Sequence, residues 1–330
     1  MTQRQVDDTP ARLSLLGPGT ASGQASASAL GRFVFSEQAS GWRDLGSDLC
    51  WLGGDVTDEI WWAQPPVTDQ ANASGFATIG GADVAFVSRR LPDPGDNELA
   101  EATREAYATL IAEAQCRGYP WVLRTWHFVP AINRGSGDEE RYRRFCVGRE
   151  RALVEAGFGA QDLGAATAVG SHGRDLVIHM LVGAEPGVAV ENPRQRSAYR
   201  YPRNYGPSRP AFVRALGVPL ADGDYGLMIS GTASIVGYET RHPGDVMPQL
   251  EETVNNLQAL LQQAAEVFQR PPLGVLNGNS FFRVYVRHAG DWPAVAERLR
   301  HIWPDARMTG LEADICRRDL SLEIEAFHRG

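Results

Sequence analysis

The final stretch of the chain has the clearest strand pattern. Apolar and polar positions alternate over residues 320–326, so Leu322 faces one side of a predicted strand while Glu323 and Glu325 face the other. Two neighbouring carboxylates are common on the solvated face of an edge strand. Their closeness to Cys316 also suits a catalytic site, and the pattern alone leaves both interpretations open.

From about residue 75 the hydrophobic pattern passes twice through the same order of elements. The first pass predicts strand 83–88, helix 98–114, strand 121–129, helix 138–156 and strand 176–182. The second predicts strand 225–237, helix 247–269, strand 281–287, helix 292–303 and a closing strand that contains Glu323. Pro-Gly-Asp precedes the long helix in both passes, and Arg-Asp-Leu opens both closing strands. The repeat predicts an α+β fold of two modules, each a mixed, mostly antiparallel sheet backed by two helices.

The repeat divides the chain into four predicted parts. These are a partly flexible leader at 1–47, a module at 48–190, a connector at 191–214 and a second module at 215–330. Six arginines, three tyrosines and several prolines crowd the connector. It is either a loop that bridges two acidic surfaces or a segment that holds an anionic, ring-shaped ligand.

Composition limits the partners and the chemistry. The net charge of -8 argues against nucleic acid, and the absence of a long apolar run predicts no membrane span and no secretory signal. The four scattered cysteines suit reduced thiols in the cytoplasm. All 32 basic residues are arginine, so a lysine Schiff base is impossible and an anionic substrate must be held by guanidinium groups. The seven histidines are dispersed and no phosphate loop occurs, so neither a metal nor a cofactor is expected.

Several separated motifs of the second half resemble a known fold and family. The order Ile229-Ser-Gly231, a helix with Asn255-Asn256-Leu257, Val284-Tyr-Val286, Ala306-Arg307 and Glu323-Ile-Glu-Ala326 resembles the Rid (YjgF-type) fold. From about Cys50 onward the chain resembles the chorismatases, a family that joins a degenerate Rid-like half to an intact one. The motifs that carry this resemblance are Tyr199-Arg-Tyr-Pro202, Tyr205-Gly-Pro207, Ser230-Gly-Thr-Ala-Ser-Ile-Val-Gly237, Glu239-Thr240 and the pair Cys316 and Glu323.

The resemblance implies a substrate and a set of site residues. Chorismatases act on chorismate, whose two carboxylates call for two cationic docks. The family's carboxylate-binding arginine falls on Arg307, while Arg203 and Arg209 are candidates for the second dock and Tyr205 for a hydrogen-bonding wall. Glu323 falls on the active-site glutamate and would protonate the methylene carbon of the enolpyruvyl ether as a general acid.

The first half is expected to lack a site of its own. Counting from the shared Arg-Asp-Leu, His179 occupies the position of Glu323, so one active site per chain is expected. Glu325 is the alternative acid. Rid proteins are trimers, so the resemblance leaves a monomer or a homotrimer open.

Two further residues bear on the product. Gly231 and Cys316 resemble the branch that forms 3-hydroxybenzoate plus pyruvate, whereas the hydrolytic branch tends to carry alanines. The Cys316 thiol is a weak proton donor, although a free cysteine is more often a small buried hydrophobe. The alternatives are a dual 3-/4-hydroxybenzoate synthase, a hydrolytic chorismatase that yields a dihydroxycyclohexadiene carboxylate, a Rid-type imine deaminase and a non-catalytic protein that binds aromatic acids.

Overall fold

A computed structural model gives the fold. It describes residues 13–19, 28–35, 44–64, 67–71 and 76–330. The other parts of the predicted leader lie outside the described residues.

Helices and strands alternate along the described chain. The N-terminal region contains β1 (Leu15–Gly19), β2 (Ser28–Val34), β3 (Asp44–Leu45), β4 (Cys50–Gly54) and β5 (Asp58–Ala63). The first half continues with β6 (Thr68–Ala71), β7 (Phe76–Gly80), β8 (Val84–Pro92), α1 (Gly95–Cys116), β9 (Trp121–Pro130), α2 (Arg141–Glu155), β10 (Ala165–Ser171) and β11 (Asp175–Gly183). The second half contains β12 (Val188–Val190), β13 (Ala215–Pro219), β14 (Tyr225–Thr232), β15 (Ile235–Val236), β16 (Glu239–Thr240), α3 (Val246–Phe268), β17 (Ser280–Val286), α4 (Trp292–Ile302), β18 (Arg307–Glu312), β19 (Asp314–Ile315) and β20 (Leu322–Arg329). None of the described helices is both long enough and apolar enough to cross a membrane.

Three main sheets organise these elements. The N-terminal sheet has the order β1-β5-β2-β3, the first sheet β19-β10-β9-β11-β8-β7-β6 and the second sheet β12-β13-β14-β20-β17-β18-β4. The core order β8-β11-β9-β10 in the first sheet is the same as β14-β20-β17-β18 in the second. In both sheets the two strands that the second helix connects are parallel, namely β9 with β10 and β17 with β18. The other core pairs are antiparallel. The prediction of an α+β fold built from two copies of one module is confirmed.

The two large sheets exchange their edge strands. β4, from the N-terminal region, pairs with β18 of the second sheet, where Cys50 lies opposite Glu312. β19, from the second half, pairs with β10 of the first sheet, where Ile315 lies opposite Val169. β12 also belongs to the second sheet. The predicted boundaries at 48–190 and 215–330 therefore do not follow the sheets, because each open edge takes a strand from the other side of the boundary.

The described parts of the predicted loose leader are strands. Leu15, Leu30 and Phe33 are fully buried, and the Phe33 ring lies against Phe86 and Trp126 of the first sheet. Burial of these apolar side chains supplies the free energy that orders a segment rich in small residues.

A buried group of ion pairs joins all three sheets. Arg283 of the second sheet donates to Glu59 of the N-terminal sheet at 2.6 Å, and Arg124 of the first sheet donates to Glu325 of the second at 2.7 Å. Arg283 also lies 3.4 Å from Glu325. The four side chains are at most 5 % exposed. Loss of any one of them would leave a buried charge without its partner, which is costly. We call this group the central ion cluster.

Candidate active site

The candidate site is a pocket of about 480 Å³ at the seam between the two halves. Its wall comes from the segment 136–149, from β10, from the connector, from the residues around β14 and from the segment 316–323. Four of the predicted site residues line it together, namely Glu323, Cys316, Gly231 and Tyr205. The size suits a small organic ligand.

Glu323 is the acid of this pocket. Its side chain is buried, and among the described residues it has neither a hydrogen bond nor an ion pair. Burial, and secondarily the negative charge of Glu325, raise its pKa from the ordinary 4.5 to about 8, while the charges of Arg124 and Arg214 act against this. Near neutral pH the carboxyl group is therefore protonated and can donate a proton.

A β-bulge in β14 makes room for the acid. Ile229 pairs with Ala326 and Thr232 with Ile324, so two residues, Ser230 and Gly231, lie where one would be expected. A Cβ atom on Gly231 would lie 2.0 Å from Oε1 of Glu323. The carboxyl group can take this position only because residue 231 has no side chain, and a larger residue would displace it. The predicted continuous strand over 225–237 is bulged at the position where the backbone meets Glu323, and it ends at Thr232.

Glu325 has a different environment, although it shares a strand face with Glu323. Its carboxylate accepts hydrogen bonds from Arg124 at 2.7 Å and from the indole of Trp126 at 2.8 Å, within the central ion cluster. It does not line the pocket. The structure therefore disfavours the alternative in which Glu325 is the acid.

His179 occupies the position in the first sheet that Glu323 occupies in the second. It pairs across to Trp126 on β9, as Glu323 pairs to Tyr285 on β17. Its ring nitrogens lie 2.9 Å from Oγ of Ser88 and 3.0 Å from the carbonyl oxygen of Gly46, and its ring packs against Phe33. The N-terminal sheet thus fills the space that a second site would need.

Cys316 lies beside the acid and keeps its proton. Burial is the main cause that raises the pKa of its thiol, and the charge of Glu323 adds to it. The thiol is therefore a weak proton donor rather than a thiolate nucleophile.

The cations of the pocket are five arginines. They are Arg143, Arg149, Arg214, Arg317 and Arg318.

Two of these arginines are buried and keep unused donors. Arg149 of α2 lies over the ring of Tyr107, forms no ion pair with a described carboxylate, and leaves its Nε without a hydrogen-bond partner. Arg214 donates to the hydroxyl of Tyr201 at 2.8 Å and also leaves its Nε unpartnered. Buried cations with free donors suit an anionic ligand.

Arg317 belongs to an aromatic group on the connector side of the pocket. Its guanidinium lies 4.3 Å from the ring centroid of Tyr205 and 5.4 Å from that of Tyr201. It donates to the backbone oxygen of Tyr238 at 2.9 Å, which leaves further donors for a ligand. Tyr205 is thus part of the pocket wall.

The predicted docks Arg307, Arg203 and Arg209 do not line the pocket. Arg307 is in register with Phe281, which pairs with Phe327 on β20, so it lies about 10 Å across the sheet and about 13 Å along it from Glu323. Arg203 points outward and pairs with Asp138 at 2.6 Å. Arg209 is exposed and donates to the backbone oxygen of Tyr201.

The sequence contains a signal for Arg149 that its repeat pattern does not single out. Arg149 lies four residues after Phe145 and four before Leu153, on the buried face of α2. A charged residue on the apolar stripe of a helix is unusual unless the charge meets a ligand or a partner. Arg317 directly follows Cys316, which is one of the predicted site residues. Its position in the sequence is therefore also a signal that it lies near the site.

The fold also assembles one group of metal-compatible side chains outside the pocket. The ligand atoms of Cys50, His172 and Glu312 lie within 4.8 Å of one another, where β4 pairs with β18. Cys50 and His172 are exposed and none of the three lines the pocket, so this group has no part in the chemistry of Glu323.

The raised pKa of Glu323 predicts a pH-dependent gain in stability for Glu323→Gln. An unfolded glutamate loses its proton near pH 4.5, whereas the native Glu323 keeps it up to about pH 8. Between these values the native state binds the extra proton, so the free energy of unfolding falls as the pH rises, by up to about 1.4 kcal/mol per pH unit. Urea unfolding should therefore show little difference between the variant and the wild type at pH 4.5 and a more stable variant at pH 8.

The control is Glu325→Gln, which breaks the ion pair with Arg124. It should destabilise the protein at both pH values by roughly 3–5 kcal/mol. An equal effect of Glu323→Gln at pH 4.5 and pH 8 would contradict the raised pKa.

Comparison with known proteins agrees with this architecture. Residues 59–182 match the family model described as Chorismatase FkbO/Hyg5-like, N-terminal. A 3-hydroxybenzoate synthase of Streptomyces hygroscopicus is 35% identical over 275 residues, which cover 80% of this chain and 79% of the relative. A chorismatase of Streptomyces rapamycinicus is 37% identical over 278 residues, which cover 81% of this chain and 80% of the relative. A crystal structure of a chorismatase is similar with a TM-score of 0.77 and 29% identity, covering 99% of this chain and 96% of that one. The chain therefore belongs to the chorismatase family.

Proposed function

We propose that this protein converts chorismate to 3-hydroxybenzoate and pyruvate. The observation that carries the proposal is a buried carboxyl group, Glu323, in a pocket whose two buried arginines form no ion pair with a carboxylate of the described residues. The relative named 3-hydroxybenzoate synthase supports this choice of product. A cytoplasmic location, supported by four free cysteines, and a monomer or homotrimer stay predictions.

The arginines provide two docks for the two carboxylates of chorismate. Arg149 approaches from α2 in the first half, and Arg317 approaches from the second half beside Tyr205. We assign one carboxylate to each, with Arg214 as a further donor. Guanidinium groups from the two halves neutralise the two carboxylates and also fix the orientation of the ring. Orientation supplies a large share of the rate enhancement.

Glu323 then protonates the methylene carbon of the enolpyruvyl ether. Desolvation keeps the acid protonated before the reaction, and the charges of Arg124 and Arg214 stabilise the carboxylate that the proton leaves behind. The oxygen of the neighbouring ring hydroxyl displaces the activated side chain as pyruvate and forms an epoxide, and its proton returns to the Glu323 carboxylate. One C–O bond of the epoxide then opens, and loss of a proton from the ring carbon that keeps the oxygen makes the ring aromatic. No water has to enter for this route.

The residues beside the acid favour the aromatic product over hydrolysis. The absence of a side chain at Gly231 lets the Glu323 carboxyl lie against the backbone. The protonated Cys316 thiol can assist the opening of the epoxide by donating a hydrogen bond to its oxygen. Water addition would instead give a dihydroxycyclohexadiene carboxylate.

Glu323→Gln tests the acid. Turnover of chorismate should fall at least ~10²-fold, because an amide cannot donate the proton, while affinity should change less than about tenfold. Steady-state kinetics with detection of pyruvate would measure the first and calorimetry the second. Glu297→Gln, the same change on the exposed side of α4, is the matched control. Unchanged turnover would favour a protein that only binds aromatic acids.

Arg149→Met tests the carboxylate dock. KM for chorismate should rise ~30- to 100-fold, the scale of a lost charge-assisted hydrogen bond. Arg203→Met is the control, since Arg203 is exposed and paired with Asp138, and its KM should stay within about twofold of the wild type. A larger rise in KM for Arg203→Met than for Arg149→Met would assign the carboxylate to Arg203 instead of Arg149.

The double change Gly231→Ala and Cys316→Ala tests the product branch. The new Cβ displaces the Glu323 carboxyl and the thiol is lost, so chromatography should show part of the hydroxybenzoate replaced by the dihydroxycyclohexadiene carboxylate. Cys146→Ala removes a buried thiol that does not line the pocket and should leave the product unchanged. The same product ratio in wild type and double variant would count against the role of this pair.

A further inference from the structure

Thr167 is a polar residue of the pocket that the mechanism above does not use. It lies on β10, its side chain is 4% exposed, and it lines the pocket between Ala166 and Ala168. Its Oγ1 accepts a hydrogen bond from Nη2 of Arg124 at 2.6 Å and another from the backbone N–H of Gly231 at 3.0 Å.

These two bonds decide what the hydroxyl can do. A threonine hydroxyl has two acceptor lone pairs and one proton. A guanidinium and a backbone N–H can only donate, so both lone pairs are occupied and the proton of Thr167 must point to some other acceptor. The described residues provide none, since the side chain of Thr167 has only these two hydrogen bonds. Thr167 lines the pocket, so a ligand bound there can supply the missing acceptor.

We propose that the Thr167 hydroxyl donates a hydrogen bond to a substrate oxygen, the ether oxygen that joins the ring to the enolpyruvyl group. This rests on the proposed function, which supplies that oxygen. Gly231 places the donor, because its N–H binds Thr167 while its Cα hydrogens face the carboxyl of Glu323. The ether oxygen and the methylene carbon that Glu323 protonates are attached to the same carbon, so donor and acid reach neighbouring atoms.

The hydrogen bond helps the departure of pyruvate without transfer of a proton. As the bond between the ring carbon and the ether oxygen breaks, its electron pair moves to that oxygen, which becomes the ketone oxygen of pyruvate. This electron pair neutralises the positive charge that protonation of the methylene carbon placed on the ether group, and Thr167 offers an already oriented donor to the lone pair that the oxygen regains. Arg124 polarises the hydroxyl, and a fixed, buried donor requires little reorganisation during the reaction.

Two inert ligands separate this role from a purely structural one. The first is the analogue with a saturated lactyl ether side chain, which keeps the ether oxygen but has no methylene to protonate. The second replaces that oxygen with CH₂. Thr167→Val should bind the ether analogue about tenfold more weakly than the wild type, and the CH₂ analogue within about twofold. Thr167→Ser, which keeps the hydroxyl, should bind both within about threefold of the wild type. An equal loss on both ligands would show that Thr167 only supports Arg124 and Gly231, and it would overturn the proposal.

A crystal structure of the wild type with the ether analogue does not depend on any variant folding. The ether oxygen should lie within hydrogen-bond distance of Oγ1, about 2.6–3.2 Å, and a clearly longer separation would overturn the proposal. Turnover of chorismate by the wild type distinguishes a failure of this inference from a failure of the proposed function. If the wild type forms 3-hydroxybenzoate while the ligand test fails, the function stands without this donor. If it does not act on chorismate, the proposed function fails first and this inference falls with it.

Discussion

The central ion cluster is the interaction on which the rest of the structure depends. Glu59, Arg124, Arg283 and Glu325 come from three different sheets, and all four side chains are buried. Their mutual pairing fixes how the two halves and the N-terminal sheet approach each other. It also fixes the seam in which the pocket forms, because Glu325 and Glu323 extend from the same face of β20.

The two carboxyl groups of β20 show how one strand can carry two opposite states. Glu325 is compensated by arginines, whereas the Glu323 carboxyl forms no ion pair within the described part of the chain and is compensated by a proton. The charge on Glu325 adds to the raised pKa of its neighbour. The central ion cluster therefore also helps to raise the pKa of Glu323. Other active sites likewise use two different environments to separate the pKa values of a pair of carboxyl groups.

Much of the fold was accessible from the sequence because its signals are local. The helix stripes predicted 98–114 and 247–269, and the ends of α1 and α3 differ from these bounds by at most three residues. The alternation around Glu323 and the matching position of His179 also came from short patterns. The relation to chorismatases, which rested on separated motifs, is confirmed by the relatives.

The arginines of the site were harder to predict because they depend on contacts between distant segments. Sequence order could not show that β18 lies two strands from β20, which removes Arg307 from the pocket, or that α2 of one half supplies Arg149 to the acid of the other. The connector turns its tyrosines inward and directs Arg203 to solvent. Neither the exchanged strands β4 and β19 nor the small N-terminal sheet has a periodicity that identifies its partner.

The exchange of edge strands has a consequence for how this protein comes into existence. β4 emerges from the ribosome about 250 residues before its partner β18 (307 minus 54 is 253). Until then the nascent polypeptide carries an unsatisfied strand, and closure depends on a contact between remote parts of the chain, which slows folding. Either half expressed alone would expose an unpaired edge strand, which favours self-association. The two similar modules are therefore interdependent, because each completes a sheet of the other.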